Sequence, residues 1–127
     1  MILVDTSIWI DHLRSGQPTL VRLLDDGLIL GHPWVVGELA LGRLAQRHEV
    51  IGLLDGLPQA TIATDEEVMT FINRHQLYGL GIGYVDVQLL AATQLTADAA
   101  LWTADRRLVA AALRVGCAID PEISAAE

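Results

Sequence analysis

Asp5, Glu38, Asp86 and Asp105 stand at four separate junctions between short apolar runs and helical segments of this chain. Asp5 ends the run Met1-Ile2-Leu3-Val4, and Asp105 lies just past Ala100-Leu101-Trp102-Thr103. Both runs read as buried strands of a parallel sheet. Glu38 and Asp86 fall near the starts of helical segments over Pro33–Ala45 and Val85–Leu95. In open α/β sheets the working crevice lies at the carboxyl ends of the strands, so all four carboxylates are placed to converge there. Such a cluster is costly unless neutralised, because two carboxylates about 4 Å apart repel by roughly 4 kcal/mol at an effective dielectric of about 20. Either a proton is held at raised pKa or a divalent cation binds. Oxygen-only ligands suit a hard cation, Mg²⁺ or Mn²⁺. A cation held this way polarises a phosphoryl oxygen and generates hydroxide, which suits the cluster to phosphodiester hydrolysis.

Each acid alone also has an ordinary explanation. Asp5 reads equally as a ligand or as the N-cap of the next helix. Thr6 or Ser7 could cap that helix instead and still aim a hydroxyl at a metal-bound water. Glu38 is the sole acid of the apolar stretch Trp34–Gly42, which predicts a substantially buried helix whose charge needs a partner or a metal. The alternative is an acid snorkelling to the surface. Asp86 and Asp105 would each complement a helix dipole. Four acids in four separate junctions are harder to assign to accident than any one of them.

Other candidates point away from the crevice. Asp98 precedes a strand and reads as surface loop, while Asp25-Asp26 and Asp65-Glu66-Glu67 read as solvated helix ends. His12, His32, His48 and His75 show no metal-ligand spacing with Cys117, although His32 lies between a strand and the Glu38 helix. Trp9, Trp34 and Trp102 read as core residues in preference to base-stacking surfaces. Arg43, Arg47, Arg106 and Arg107 are the basic groups nearest the crevice and are candidates for phosphate contact.

The elements that must position these residues alternate in the manner of a doubly wound sheet with helices on both faces. Strands are expected over Ile2–Val4, Leu28–Leu30, Ala60–Ala63, Ala100–Thr103 and Cys117–Ile119. Helices are expected over Ser7–Arg14, Pro18–Asp26, Pro33–Ala45, Val50–Gly56, Asp65–Tyr78, Val85–Leu95 and Asp105–Val115. Pro18 and Pro33 suit first turns, and Thr64 with Glu67 spells a capping box. Gly16, Gly27, Gly56 and Gly116 fall where helices should stop. The run Gly79-Leu80-Gly81-Ile82-Gly83 is the flexible patch, read as an ordinary loop with a phosphate nest as the alternative.

Composition narrows the field. The 127 residues suit one domain, and 52% apolar against 19% charged residues is enough to bury a core. No apolar run approaches a membrane span, and the first strand begins at once, without the head of a signal peptide. The single cysteine, Cys117, reads as a buried thiol of a reducing cytoplasm. A net charge of −8 argues against a large non-specific nucleic-acid surface. It does not exclude a nuclease whose acids are neutralised by metal. There is no lysine: all eight basic residues are arginine.

With Val4-Asp5-Thr6-Ser7, Glu38-Leu39-Ala40-Leu41-Gly42, Asp86-Val87-Gln88-Leu89-Leu90-Ala91-Ala92 and Thr103-Ala104-Asp105 in place, the chain resembles the PIN-domain family, and within it the VapC-like toxin ribonucleases. The resemblance runs from Ile2 to about Ile119. It implies a single α/β domain over residues 1–121, with a parallel sheet of about five strands and a short tail over residues 122–127. It implies that Asp5, Glu38, Asp86 and Asp105 are catalytic, metal-binding acids, with Thr6, Ser7 and Thr103 as their supporting shell. It further implies Mg²⁺-dependent RNA cleavage (Mn²⁺ substituting), homodimerisation, and inhibition by a cognate VapB-like antitoxin. The alternative, a non-catalytic acidic-pocket domain of the phosphoacceptor receiver type, lacks its lysine here. A haloacid-dehalogenase-like phosphatase would need a second Asp where Ser7 stands.

Overall fold

In the computed structural model, which describes residues 1–120 and Ile123, the sheet is smaller than expected and the helices carry most of the chain. Strand β1 (Ile2–Val4) runs between β2 (Ile29–Leu30) and β3 (Ala100–Trp102), parallel to both. Ile2 faces Ile29 and Ala100 across the ladders, and Val4 faces Trp102. All of β1 is buried, as a strand covered on both faces must be. Around the sheet come α1 (Thr6–Ser15), α2 (Pro18–Asp25), α3 (Pro33–Ala40), α4 (Arg47–Asp55), α5 (Asp65–His75), α6 (Tyr84–Leu95) and α7 (Arg106–Val115).

The two outer strands expected at Ala60–Ala63 and Cys117–Ile119 shrink to single parallel bridges, Gly31 with Gln59 and Leu101 with Ala118. Pairing begins on the first edge, where the Gly31 amide donates to the Pro58 carbonyl and the Ala60 amide to Gly31. It stops one residue later because the Thr61 amide turns to the Thr96 hydroxyl at 2.9 Å. On the other edge the Leu101 amide donates to the Cys117 carbonyl and the Ile119 amide to the Leu101 carbonyl, and among the described residues the pairing goes no further. The expected five-strand sheet is thus three strands with a one-residue fringe on each side. The tail expected over residues 122–127 lies outside the described residues except for Ile123, which packs against the core.

Helix ends moved for identifiable reasons. α3 stops at Ala40, not Ala45, where the Arg47 guanidinium donates from Nη2 to the Ala40 carbonyl at 3.0 Å. α4 consequently starts at Arg47 instead of Val50, preceded by Gln46 in the left-handed region at φ 53°. α5 ends at His75, short of Tyr78, because Gln76 adopts φ 53°. Its start carries the expected capping box: the Glu67 amide donates to the Thr64 hydroxyl, and the Thr64 amide to the Glu67 carboxylate. α6 begins at Tyr84, one residue before expectation, and α7 at Arg106, with Asp105 as its cap.

α6 organises the core. Every residue from Val87 to Thr93 is buried, so this helix is enclosed on all sides. It packs on β3 and against α5, while α1 meets α3 and α3 meets α4. Trp9 and Trp102 are core residues as expected. Cys117 is a buried free thiol whose pKa burial pushes up to about 11, so it stays protonated and unreactive.

Candidate active site

Asp5 leaves β1 and enters α1 as its N-cap residue, with only 6% of its surface exposed. Its amide donates to the Trp102 carbonyl at 2.9 Å, which extends the β1–β3 ladder to the carboxylate itself. No side-chain cap bond forms from Asp5 to α1. Its Oδ2 instead accepts the hydroxyls of Ser7 and Thr103, each at 2.7 Å. Those two hydroxyls lie 3.3 Å apart, and each also accepts a backbone amide: Ser7 from Ala104, Thr103 from Asp105. The start of α1 and the end of β3 are therefore sewn together around one buried carboxylate. Two of the three hydroxyls expected in the supporting shell, Ser7 and Thr103, stand beside it.

Thr6, the third, turns the other way and donates to Glu38 Oε1 at 2.7 Å. Asp105 caps α7, its Oδ1 accepting the Arg107 and Leu108 amides. Asp86 folds back on the start of α6, where its Oδ2 accepts the Gly83 amide at 3.2 Å. A pattern links the four. Among the described residues each carboxylate commits one oxygen to the protein, and its second oxygen takes no hydrogen bond.

The acids also feel one another. Burial pushes the Asp86 carboxyl above its ordinary pKa, the Gly83 amide pulls it back, and the negative charges of Asp5, Asp105 and Glu38 push it up further. Glu38 does not sit in a buried helix, contrary to the expectation from its apolar surroundings: only Val35 and Leu39 of α3 are buried, and Glu38 is exposed. Its neighbour Leu41 is 91% exposed. The apolar residues of this stretch are thus divided, Val35 and Leu39 facing the core and Trp34 and Leu41 the surface.

The donor set suits a hard divalent cation: four carboxylates, mutually repelling, each with an oxygen to spare. Among the described residues no three His, Cys, Asp or Glu side chains yet stand as a ready-made cage. Glu38 and Asp105 are exposed, and Asp5 is buried.

The arginines divide. Arg47 is occupied with the Ala40 carbonyl. Arg107 reaches the Gly81 carbonyl at 3.4 Å, and a Cβ built on Gly81 would lie 2.7 Å from its Nη1. Arg43 and Arg106 are exposed. The glycine loop is an ordinary loop braced by Arg107, and its Gly83 amide already holds Asp86. His32 is fully buried and caps α3, its Nδ1 accepting the Trp34 amide at 3.1 Å. Its proton is therefore on Nε2, which finds no partner among the described residues. Burial lowers its pKa, so it is neutral.

The sequence reading missed two aromatic residues. Trp34, expected in the core, is 36% exposed, and its ring lies 5.9 Å from that of Tyr84, tilted by 55°. Tyr84 stands two residues before Asp86, a proximity visible in the sequence.

A short parallel sheet with Asp5 and Asp105 at the N-caps of the helices that follow two of its strands, Asp86 in the first turn of α6 and Glu38 further along α3 defines an acidic α/β protein of the kind suited to phosphodiester chemistry. The chain is 47% identical over 124 residues to Ribonuclease VapC32 of Mycobacterium tuberculosis strain CDC 1551 / Oshkosh, covering 98% of this chain and 100% of that protein. The same figures hold for Ribonuclease VapC32 of strain ATCC 25618 / H37Rv. The chain therefore belongs to the VapC toxin ribonuclease family. No family model matches it, and no solved structure does.

Proposed function

We propose that this protein is a Mg²⁺-dependent endoribonuclease toxin, held inactive by a VapB-like antitoxin. The observation that carries the reading is that Asp86, pushed up first by burial, is pushed further by the charges of Asp5, Asp105 and Glu38, since a carboxyl feels only charges that lie near it. Asp5, Glu38, Asp86 and Asp105 would hold the cation through their uncommitted oxygens. When bound, it would supply charge for a phosphoryl oxygen and lower the pKa of water. The chain's own residues do the positioning. Ser7 and Thr103 fix Asp5 Oδ2, so that its other oxygen faces one direction. Thr6 steers Glu38 toward the start of α1. The Gly83 amide holds Asp86 against rotation.

The antitoxin reading is supported by a groove of about 340 Å³ lined by Glu38 with Ile10, Leu13, Leu39 and Leu44 and by Arg14 and Arg43. Exposed Ile10, Leu13 and Leu41 give an amphipathic segment apolar surface to cover, and a basic residue entering this groove would meet Glu38. Homodimerisation is supported by further exposed apolar residues, Leu53, Ile62, Met69 and Leu113. Among the described residues no helix is long and apolar enough to cross a membrane.

The test is cleavage of RNA by the purified protein with Mg²⁺, with and without excess EDTA, and by the Asp86→Asn variant. Cleavage that persists undiminished in EDTA, or in the variant, sinks the metal-acid reading. Light scattering and pull-down with the product of the adjacent gene test the assembly.

A further inference from the structure

We propose that Trp34 and Tyr84 form a stacking platform for an unpaired nucleobase of the RNA, immediately beside the acid cluster. The inference rests on the ribonuclease reading above and extends it to how substrate is held. Trp34 is the only tryptophan with substantial exposure, Trp9 and Trp102 being 3% exposed each. It lies four residues before Glu38 on α3, and residues at that spacing share one helix face. Tyr84 opens the turn of α6 that carries Asp86. The ring pair thus joins the first turns of two helices that deliver acids to the site. Thr6, in turn, ties Glu38 back to the residue after Asp5.

The platform is held in place. The Tyr84 hydroxyl donates to Asp65 Oδ1 at 2.8 Å and accepts from Gln88 Nε2 at 3.4 Å, which fixes the ring's swing. The Trp34 amide is pinned by His32. Two large rings with no fold-building need to be exposed are therefore preset at the site's edge.

The charge balance gives the platform its purpose. With sixteen acids against eight arginines, two of them engaged with backbone carbonyls, the chain has little with which to attract phosphates. Stacking is indifferent to that sign, because every base has a π-face and single-stranded RNA presents its bases splayed out. One stacked base contributes a factor of roughly five to 150 in affinity. Asp65 is a positioning residue in this scheme, acting through the Tyr84 hydroxyl.

The experiment uses the emission of Trp34, since the other two tryptophans are shielded. Wild-type protein in EDTA is titrated with a short mixed-sequence single-stranded oligoribonucleotide, and separately with an abasic ribose-phosphate oligomer of equal length. The expected result is quenching by the base-bearing strand alone. By anisotropy of the same labelled strand, Trp34→Ala and Tyr84→Ala each weaken binding roughly five- to 150-fold. Trp34→Phe retains most of the affinity, Tyr84→Phe loses less than Tyr84→Ala, and circular dichroism verifies that all four fold. The ratio of wild-type to Trp34→Ala affinity stays constant with salt. Absence of quenching, equal quenching by the abasic strand, or quenching only by the antitoxin overturns the platform. If quenching is base-dependent but the wild type cleaves no RNA with Mg²⁺, the ribonuclease reading falls and the platform stands. Cleavage without quenching has the opposite meaning.

Discussion

Replacing Thr103 by valine should loosen the site from below without touching an acid. Valine keeps the shape of the side chain but removes the hydroxyl that donates to Asp5 Oδ2 at 2.7 Å and accepts the Asp105 amide at 3.1 Å. A hydrogen bond to a charged group contributes about 1.5–3 kcal/mol net, and a neutral one about 1 kcal/mol. Ser7 still donates to the same carboxylate oxygen, and the Asp105 amide can recruit water, so the lower end applies. The expected loss is about 2 kcal/mol. For a chain of this size that is a fall in Tm of roughly 6–12 °C. The measurement is urea unfolding of the metal-free protein, alongside Ser7→Ala and the double variant. Because both hydroxyls serve one oxygen, the double variant should lose more than the sum of the single losses, by about 0.5 kcal/mol or more. A loss below about 0.5 kcal/mol in Thr103→Val, or strict additivity, would refute the reasoning. Either would show that water satisfies Asp5 as well as the protein does.

Further outcomes follow from the same geometry. Asp86→Asn keeps an acceptor for the Gly83 amide while removing a charge that three neighbours oppose, so the metal-free protein should melt a few degrees higher and lose RNA cleavage; a lower Tm would contradict the repulsion. As pH falls toward the raised pKa of Asp86, the wild type should recover part of that stability and the variant should not, since protonation removes the same charge. Mg²⁺ should stabilise the wild type saturably, by ~2.7 kcal/mol at a hundredfold excess over its dissociation constant and visibly as a rise in Tm, with a weaker response in Asp86→Asn. His32 works in the other direction: its folded pKa is depressed, so its contribution is complete above about pH 6.5 and is lost as pH falls toward the folded value. His32→Asn, which can still cap α3, should flatten that acid limb in melts across pH 5–7, and an unchanged slope would exclude His32 as its source.

What the sequence made legible was local. The strand-to-helix junctions at Asp5 and Asp105 announce themselves by an apolar run followed by a polar, cap-forming residue. The Thr64–Glu67 box needs only its own four residues. What stayed hidden depended on partners far along the chain. The strand expected at Ala60–Ala63 fails because Thr61 is drawn to Thr96. The helix expected to reach Ala45 ends where Arg47 caps it. Apolar composition also cannot say whether a face is covered by its own fold, which is why the helix of Glu38 was expected to be substantially buried, and Trp34 in the core, and neither is. The rule for parallel sheets led to the expectation that the acids lie near one another, and Asp86 does feel the charges of the other three. The division of each carboxylate into a committed and an uncommitted oxygen did not, since it depends on side-chain rotation.

The Asp5–Thr103 bond joins residues 98 positions apart, and the strand behind Asp5 is the middle of its sheet. At synthesis rates of about 5–20 residues per second, Asp5 therefore waits roughly 5–20 s on the ribosome for the segment that completes its surroundings. During that interval β1 has β2 on one side and an open edge on the other. The acid cluster cannot assemble on an incomplete chain. Any truncation before Thr103 leaves the N-terminal acids without Asp105 and without the hydroxyl that anchors Asp5, so a stalled or prematurely terminated product carries the family's opening motif but none of its assembled site.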